Sequence, residues 1–327
     1  MSAAAPAACA VAIVGAGTTA REHARAFADV PGVRLAGIHS RTRLRAEKLA
    51  AELGIGRVCD SVAELHETTQ ARLIVVTVPE LEMNRVARAC FEYPWTVLLE
   101  KPAGYNLADA QEILASAREK KRNVRVALNR RFYASTRRAL EGLAAEERPR
   151  FAAGGPRFIK AQDQEDRPEA LRLGQPEQAV RNWMYANSIH LVDLLRVFGR
   201  GRVTRVTPLM RWDPERPCVV LGKVDFESGD TGLYEAIWEG PGPWALSVQT
   251  SARRWELRPL ERLTVQERGE RRAAEIAPHE WDTRFKPGFR LQAEQAIAAA
   301  LGRPSDCAGI EDAFETMRLI AALYAER

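Results

Sequence analysis

Short apolar segments alternate with longer amphipathic segments from Ala10 to about Leu128, and this alternation constrains the fold more than any other feature. Five segments are apolar on both faces, which is typical of strands in a parallel sheet covered by helices on each side. They are residues 10–15, 33–39, 72–78, 95–100 and 124–128. The stretches between them show helical periodicity. They are residues 19–28, 43–53, 81–91 and 107–121. The alternation predicts a doubly wound parallel sheet with right-handed crossovers.

After Asn129 the pattern changes to strand-like runs separated by short turns rich in Gly, Pro and Asp, such as ESGDTG and EGPGPW. Such turns suit antiparallel hairpins. Four helical stretches accompany them, at residues 135–145, 183–198, 289–300 and 310–325. A length of 327 residues suits two domains. We predict an α/β protein with a doubly wound domain at residues 1–128 and an α+β domain with a largely antiparallel sheet at residues 129–327.

The charge balance argues against a nucleic-acid partner. The 48 Lys and Arg residues against 43 Asp and Glu residues give a net charge of +5. The basic residues stand beside acidic ones, whereas a nucleic-acid-binding protein usually concentrates positive charge on one stripe. A mildly basic protein still favours an anionic small molecule through its overall field. We therefore expect a small-molecule ligand, with an anionic one allowed.

The cysteines and the hydropathy bear on location. Five cysteines are scattered without a CxxC pair, which indicates reduced, mostly buried thiols and a cytoplasmic protein. No stretch approaches the roughly 18 apolar residues of a membrane helix. The Ala-rich start lacks a basic region and is interpreted as a short tail before the first strand, not as a signal peptide. The histidines outside the region of His190 have no paired Cys or His, so no metal site is predicted.

A glycine turn closes the first predicted strand. Gly15, Gly17 and Ala20 form a G-x-G-x-x-A pattern, and a helix follows at once, with Thr18 and Thr19 in its first turn. Glycines at these places allow a tight turn and a close approach of backbone to a pyrophosphate, which binds at the helix N-terminus. In this strand–turn–helix setting the pattern predicts a dinucleotide and a Rossmann-type first domain.

The end of the second strand bears on which dinucleotide binds. An acidic residue that binds the ribose 2′-hydroxyl of NAD usually stands there, but this chain has Ser40 and Arg41. A hydroxyl followed by a guanidinium suits a 2′-phosphate. The alternative is a solvated loop and a protein that uses either cofactor. We predict NADP, with NAD possible.

Lys101 follows an apolar strand in the sequence Glu100-Lys101-Pro102. It stands at the carboxyl end of a parallel strand, where open α/β sheets place their ligands. A partly desolvated ammonium there can donate to a carbonyl or alkoxide oxygen. The alternative reading is a strand-end lysine that points into solvent.

A second candidate group lies on the predicted helix at 183–198. Asn187, His190 and Asp193 are spaced by three residues and so lie on neighbouring positions of the helix. Leu191, Leu194 and Leu195 supply its buried side. The alternatives are a structural histidine, with Asp193 as its hydrogen-bond partner or as an exposed helix charge.

These segments together resemble the glucose-fructose oxidoreductase/inositol dehydrogenase/rhizopine catabolism (Gfo/Idh/MocA) family, over nearly the whole chain. The matching segments are GAGTTA at 15–20, VTVP at 76–79, EKP at 100–102, NRRF at 129–132, SIHLVDLLR at 188–196 and FKPGF at 285–289. The resemblance implies a Rossmann domain followed by an α+β domain with an open antiparallel sheet. It also implies NAD(P)-linked oxidation or reduction of sugars or cyclitols, and a homodimer or homotetramer formed through that sheet.

The resemblance also implies roles for particular residues. Lys101 would be the catalytic lysine and His190 the acid/base, while Val78, Pro79 and Glu100 would line the nicotinamide side. The chain departs from the family at two places. The family helix usually reads D-x-G-x-H-x-x-D, but Ala186 and Ser188 stand before His190, and Met83 replaces a usual histidine. Tyr185 or Asn187 would take over the binding role of the missing acid.

Further polar residues are candidates for substrate binding. Asp163 is predicted directly at the end of the first strand of the second domain, in the run QDQED, whose later acids are equally explained by an exposed loop. Lys286 can meet an anionic group or belong to a plain turn. The substrate-binding candidates are Asn129, Asp163, Tyr185, Asn187, Asp193 and Lys286.

Together these observations predict an NADP-preferring oxidoreductase that moves hydride between nicotinamide and a secondary alcohol or ketone of a sugar, sugar derivative or cyclitol. Lys101 and His190 are expected to converge on one reacting oxygen. Two alternatives stay open. One is a non-catalytic NAD(P)-binding sensor on the same fold, suggested by the missing acid at Ala186. The other is a reductase of a non-sugar imine or unsaturated compound.

Overall fold

The computed structural model describes residues 9–146, 155–216 and 218–325. The expected N-terminal tail falls on residues 1–8, outside the described residues. The chain folds into two units. The first unit ends at Asn129 but also contains Arg284–Phe314, a segment that the sequence assigned to the second domain. The second unit contains Arg130–Thr283 and the chain from Glu315 onward.

The first unit is built on a seven-stranded sheet. Its strands are β1 Cys9–Val14, β2 Val33–His39, β3 Val58–Cys59, β4 Leu73–Val76, β5 Thr96–Leu99, β6 Val124–Val126 and β15 Ala308–Gly309. The order across the sheet is β15-β6-β5-β4-β1-β2-β3. All neighbours are parallel except β15, which pairs antiparallel with β6. Every residue of β4 and β5 is buried, as expected for strands covered on both faces. This order of β1 to β6 is that of the Rossmann fold.

Helices cover this sheet. They are α1 Thr18–Ala28, α2 Arg43–Leu53, α3 Val62–Thr69, α4 Glu80–Phe91, α5 Leu107–Glu119 and α11 Phe289–Ala300. The predicted doubly wound domain is confirmed. The sequence missed β3, because two residues are too few to show a strand pattern. It also missed α3. It gave the other boundaries to within a few residues.

The second unit is built on an eight-stranded sheet. Its strands are β7 Phe158–Glu165, β8 Val203–Met210, β9 Val219–Phe226, β10 Thr231–Trp238, β11 Ala245–Gln249, β12 Arg253–Leu257, β13 Leu263–Glu267 and β14 Ala274–Ile276. Their order is β14-β13-β12-β11-β7-β10-β9-β8. Only the central neighbours β7 and β10 are parallel. Burial alternates along β7, β9 and β10, so one face of the sheet is covered. The largely antiparallel α+β prediction is confirmed.

The remaining helices are α6 Ala134–Glu146, α7 Arg167–Arg172, α8 Glu177–Arg181, α9 Ile189–Phe198, α10 Glu280–Arg284 and α12 Ile310–Tyr324. The predicted single helix at 183–198 is wrong in one respect: its first part, Met184–Ser188, is a π-helical turn, and α9 begins after it. None of the helices in the described residues has both the length and the apolar character needed to cross a membrane.

Candidate active site

Several predicted site residues follow the strands of the first sheet at a single edge. Gly15 follows β1, Ser40 follows β2, and Glu100 follows β5. Val78 and Pro79 follow β4, and Pro79 directly precedes α4. Parallel strands present their carboxyl ends at the same edge. The chain order reverses between β1 and β4, which is where open α/β sheets bind ligands.

Gly15 occupies a position that a side chain cannot. Its φ is +107°, and an added Cβ would lie 2.5 Å from Thr77 Oγ1 and 2.6 Å from the Thr77 carbonyl oxygen. The Thr77 hydroxyl donates to the carbonyl oxygen of Val14 at 3.0 Å, which fixes the obstructing group. The tight turn after β1 therefore requires glycine.

Gly17 differs from Gly15, because no described atom lies within 4 Å of an added Cβ. The residue is the N-cap of α1, and its extended backbone leads directly into Thr18 and Thr19. The first turn of α1 contains no acidic residue. The free backbone N–H groups and the positive end of the helix dipole therefore suit an anion. This open approach fits the pyrophosphate of a dinucleotide.

The residues after β2 present a cation to solvent. The Ser40 hydroxyl accepts a hydrogen bond from the backbone N–H of Thr42 at 3.3 Å. The Arg41 side chain is 83% exposed and lies 3.6 Å from a carboxylate oxygen of Glu82. The next arginine, Arg43, is held by Glu47 and Asp60. Arg41 is thus the more accessible of these two guanidinium groups for a 2′-phosphate.

Glu100 holds the start of the Lys101 segment. Its Oε1 lies 2.6 Å from Nε2 of His23, and its Oε2 accepts the backbone N–H of Lys101 at 3.1 Å. Burial alone would raise the pKa of Glu100. The hydrogen bond from His23 and the charges of His23 and Lys101 bring that pKa below its ordinary value. Glu100 is therefore an anion that ties the lysine segment to α1.

His23 lies on the buried face of α1 and packs against the start of α11. Its ring lies 4.6 Å from the ring of Phe289, at the start of α11. The contact with Glu100 is the part that the sequence missed. The available signal was a histidine on the buried face of a helix, since a buried imidazole needs a polar partner.

Asn129 and Lys286 also belong to the first unit. The side-chain amide of Asn129 donates to the carbonyl oxygen of Pro287 at 3.0 Å. The Lys286 ammonium lies 5.0 Å from the centre of the Phe289 ring, a cation–π contact. Asn129 thus fastens the FKPGF segment, and Lys286 stays exposed beside it. Substrate binding by either residue stays a prediction.

In the second unit, His190 is the second residue of α9 and is only 2% exposed. Its ring meets the ring of Trp244 edge-on, with centroids 6.4 Å apart. The indole N–H of Trp244 donates to the carbonyl oxygen of Gln164 at 2.9 Å, which fixes the indole. Leu191, with the other predicted apolar residues of α9, is buried as expected.

Asp193 is buried, so its interpretation as an exposed helix charge is wrong. Arg131 donates to both of its carboxylate oxygens, at 2.6 and 2.7 Å. The hydroxyl of Thr316 donates to one of them at 3.0 Å. The sequence did not single out Arg131 as the partner. Substrate binding by Asp193 stays a prediction.

The expected placement of Asp163 is wrong. Strand β7 continues through Glu165, so Asp163 lies inside the strand, and Asp166 is the N-cap of α7 instead of part of an acidic loop. Both Asp163 and Glu165 are 1% exposed. Alternation along the strand could have placed them on one face, because they are two residues apart. Tyr185 and Asn187 lie in the π-helical turn, with Tyr185 fully buried.

The Rossmann strand order, the glycine turn and the open N-terminus of α1 fit a dinucleotide-binding domain. Comparison with known families agrees. Residues 9–128 match the Gfo/Idh/MocA family, described as "oxidoreductase family, NAD-binding Rossmann fold". The family resemblance read from the sequence is confirmed over residues 9–128, the part of the chain that the family model matches. A search of curated protein sequences finds no match.

Solved structures share the fold over nearly the whole chain. A dehydrogenase from Chromobacterium violaceum has a TM-score of 0.79 and 20% identity, covering 96% of this chain and 93% of that one. An aldose-aldose oxidoreductase from Caulobacter crescentus has a TM-score of 0.79 and 18% identity, covering 97% of each chain. The UDP-N-acetylglucosamine 3-dehydrogenase from Acidithiobacillus ferrooxidans has a TM-score of 0.74 and 17% identity, covering 97% of this chain and 96% of that one. At these identities the likeness establishes the fold alone.

Proposed function

We propose that the protein is an NADP-preferring oxidoreductase that transfers hydride between nicotinamide and a secondary alcohol or ketone of a sugar, sugar derivative or cyclitol. The observation that carries the proposal is the place of Lys101. It follows β5, two strands from the glycine turn after β1, on the edge where α/β sheets bind their ligands. Its segment is held by Glu100, so the ammonium stands on a fixed backbone.

In the reductive direction, Lys101 stabilises the negative charge that develops on the substrate oxygen, and His190 delivers the proton to it. Oxidation reverses both roles. Acid–base help of this kind contributes about 10²–10⁴-fold to the rate. The bound nicotinamide supplies or accepts the hydride. Gly15, Gly17, Thr18 and Thr19 form the turn that receives the pyrophosphate.

The substrate class is supported by the names of two proteins with this fold. One acts on aldoses and the other on a UDP-linked amino sugar. The candidate hydroxyl-binding groups of this chain are amides and a phenol, on Asn129, Asn187 and Tyr185. The positive net charge also accommodates an anionic sugar derivative.

Turnover of NADP with a panel of sugars, sugar acids and cyclitols tests the proposal. We expect Lys101→Met and His190→Gln to lower kcat about 10²-fold or more while NADPH still binds. Lys120→Met and His279→Gln are matched controls. Lys120 lies at the end of α5 in a surface ion pair with Glu92, and His279 is exposed. Unchanged turnover in K101M and H190Q would refute these roles. Tight NADPH binding without turnover on any compound would identify a sensor instead.

The NADP preference has its own test. Arg41→Ala removes the exposed guanidinium after β2, and we expect about a tenfold weaker binding of NADPH with NADH unchanged. Arg43→Ala is the control, because Arg43 is already engaged by two carboxylates. Equal effects of R41A on the two cofactors would contradict the preference.

Location and assembly complete the proposal. Reduced thiols suit the cytoplasm, and four of the five free cysteines are buried. Assembly as a homodimer or homotetramer would use the second sheet, where Phe158 of β7 and Leu209 and Met210 of the edge strand β8 are exposed. Light scattering of the wild type and of a Leu209→Lys/Met210→Lys variant checks this, since only the variant should be monomeric.

A further inference from the structure

Two carboxyl groups lie side by side under the segment that precedes His190. Asp163 and Glu165 are two residues apart on β7, so both side chains point to the covered face of the sheet. Glu165 Oε2 accepts a hydrogen bond from the side-chain amide of Asn187 at 2.9 Å. Its Oε1 accepts one from the hydroxyl of Ser188 at 3.1 Å. Both donors belong to the π-helical turn.

A second chain of hydrogen bonds reaches the pair from the opposite direction. The phenol of Tyr234 donates to Asp163 Oδ2 at 2.7 Å. The phenolic oxygens of Tyr234 and Tyr324 are 3.0 Å apart. Because the Tyr234 proton is used on Asp163, the Tyr324 phenol must be the donor to Tyr234. Strand β10 and helix α12 are thereby tied to the same carboxyl pair.

Two ionised carboxylates cannot share so small a buried space, so the pair holds one proton. Burial raises the pKa of Asp163. Burial and the charge of Asp163 raise the pKa of Glu165 well above its ordinary value. Such a pair is costly to bury, and apolar residues of the same volume would often be at least as stable. The pair nevertheless accepts specific hydrogen bonds from the turn, which apolar residues could not do.

The turn that these bonds hold is unusual. π-helical turns are rare and concentrate at functional sites. Asn187 and Ser188 precede His190 by three and two residues, so the direction of the imidazole depends on the geometry of this turn. A displacement of about 1 Å at a catalytic group can cost 10²-fold in rate.

We propose that the Asp163–Glu165 pair is the positioning element of His190: it fixes Asn187 and Ser188, and so holds the π-helical turn in the form that orients the imidazole. Glu165 and Asp163 are positioning residues, with no contact to the reacting atoms required. The proposal rests on the acid–base role given to His190 above.

The experiment compares two substitutions at one position. Glu165→Leu removes the acceptors for Asn187 and Ser188, whereas Glu165→Gln keeps a carbonyl oxygen and an amide in their place. Asp230→Asn is the matched control, because Asp230 is also a buried, hydrogen-bonded carboxylate of this unit. Asp230 directly precedes β10, so it lies at the opposite end of that strand from Trp238, the residue that pairs with Glu165. The measurements are kcat, the KM for NADP, the thermal midpoint, and hydrogen exchange of the peptide covering residues 183–192.

We expect E165L to lower kcat about 10²-fold with an unchanged KM for NADP and faster exchange in residues 183–192. E165Q should stay within about threefold of the wild type in kcat. D230N should lower the thermal midpoint without lowering kcat. Should E165L fail to fold, Ser188→Ala replaces it, with about a tenfold lower kcat expected from the loss of one anchor.

Wild-type kcat in E165L or in its substitute S188A would overturn the proposal. So would an equal loss in E165Q, because it would mean that the hydrogen bonds are irrelevant. If D230N lowered kcat together with its thermal midpoint, the loss of kcat in E165L would be explained by general destabilisation and the proposal would fail. Failure of the proposed function looks different: the wild type then turns over no substrate, and exchange alone decides whether the pair anchors the turn.

Discussion

Nε2 of His23 lies 2.6 Å from Oε1 of Glu100, and this contact joins the cofactor helix to the lysine segment. Helix α1 begins at Thr18, with Gly17 as its N-cap, and carries His23 in its second turn. Glu100 in turn accepts the backbone N–H of Lys101. One histidine therefore couples the helix proposed to receive the pyrophosphate to the residue proposed to stabilise the substrate oxygen.

Replacing His23 by leucine should weaken both the fold and the activity. The Glu100 carboxylate loses its side-chain partner at Oε1 while staying largely buried, which costs about 1–3 kcal/mol of unfolding free energy. The Lys101 segment also loses a fixed support, so kcat should fall. His66→Leu is the control, because His66 stacks on Tyr93 elsewhere in this unit. Urea unfolding and kcat measure the effects, and a stable, fully active H23L would contradict the coupling.

The two glycines of the turn should fail in different ways when changed to alanine. Gly15→Ala places a methyl group against the fixed Thr77 backbone at positive φ, so we expect a loss of about 1–3 kcal/mol in stability. Gly17→Ala meets no described atom and has an extended backbone, so its thermal midpoint should match the wild type. Its methyl group instead obstructs the pyrophosphate. NADPH titration should therefore show markedly weaker binding by G17A, and normal binding would argue against this cofactor position.

The buried pair of Arg131 and Asp193 predicts a non-additive result. Arg131→Leu leaves Asp193 as a buried carboxylate without its main counter-charge, which should cost about 3–5 kcal/mol. Changing both residues to leucine removes the uncompensated charge, so the double variant should be more stable than R131L. Denaturant unfolding of the two single variants and the double variant provides the cycle. Additive losses would show that the two side chains act independently.

Lowering the pH should remove the contribution of Asp230 to the stability of the fold. Burial opposes its charge, but hydrogen bonds from Arg200 and from the backbone of Arg157 and Arg200 lower the pKa from 3.8 to about 2. A lowered pKa stabilises the fold above the unfolded-state value and stops doing so as the pH falls through the folded-state value. The difference in unfolding free energy between wild type and D230N should thus be about 2 kcal/mol at pH 7. It should shrink between about pH 4 and pH 2, and a constant difference would contradict this cause.

The first sheet was predictable because β1, β2 and β4 each contain an unbroken apolar run of four residues or more. Strands β5 and β6 contain one polar residue each, Thr96 and Arg125. Val58 and Cys59 form a strand of two residues, which no periodicity can reveal. The glycine turn was also predictable, since Gly15 occupies backbone geometry that only glycine permits and Gly17 keeps the approach to the start of α1 open. Local chemistry was enough in both cases.

The partners of the polar site residues were not predictable, because they come from distant parts of the chain. Glu100 meets His23 across 77 positions, and Asp193 meets Arg131 across 62. Glu165 was read as part of a solvated loop, since a run of acids is usually exposed. Glu165 is buried because β7 extends through it. Hydrogen bonds from Asn187 and Ser188 of the π-helical turn offset the cost of that burial.

The return of Arg284–Phe314 to the first unit has a practical consequence. Arg290 of α11 binds Asp29 at 2.7 Å, and β15 supplies the edge strand beside β6. A fragment that stops at Asn129 would leave an open sheet edge and strip a helix from the surface of α1 and β4. Anyone who wants to express the nucleotide-binding half by itself should splice residue 129 to residue 284 with a short linker, because a simple truncation discards part of its interior.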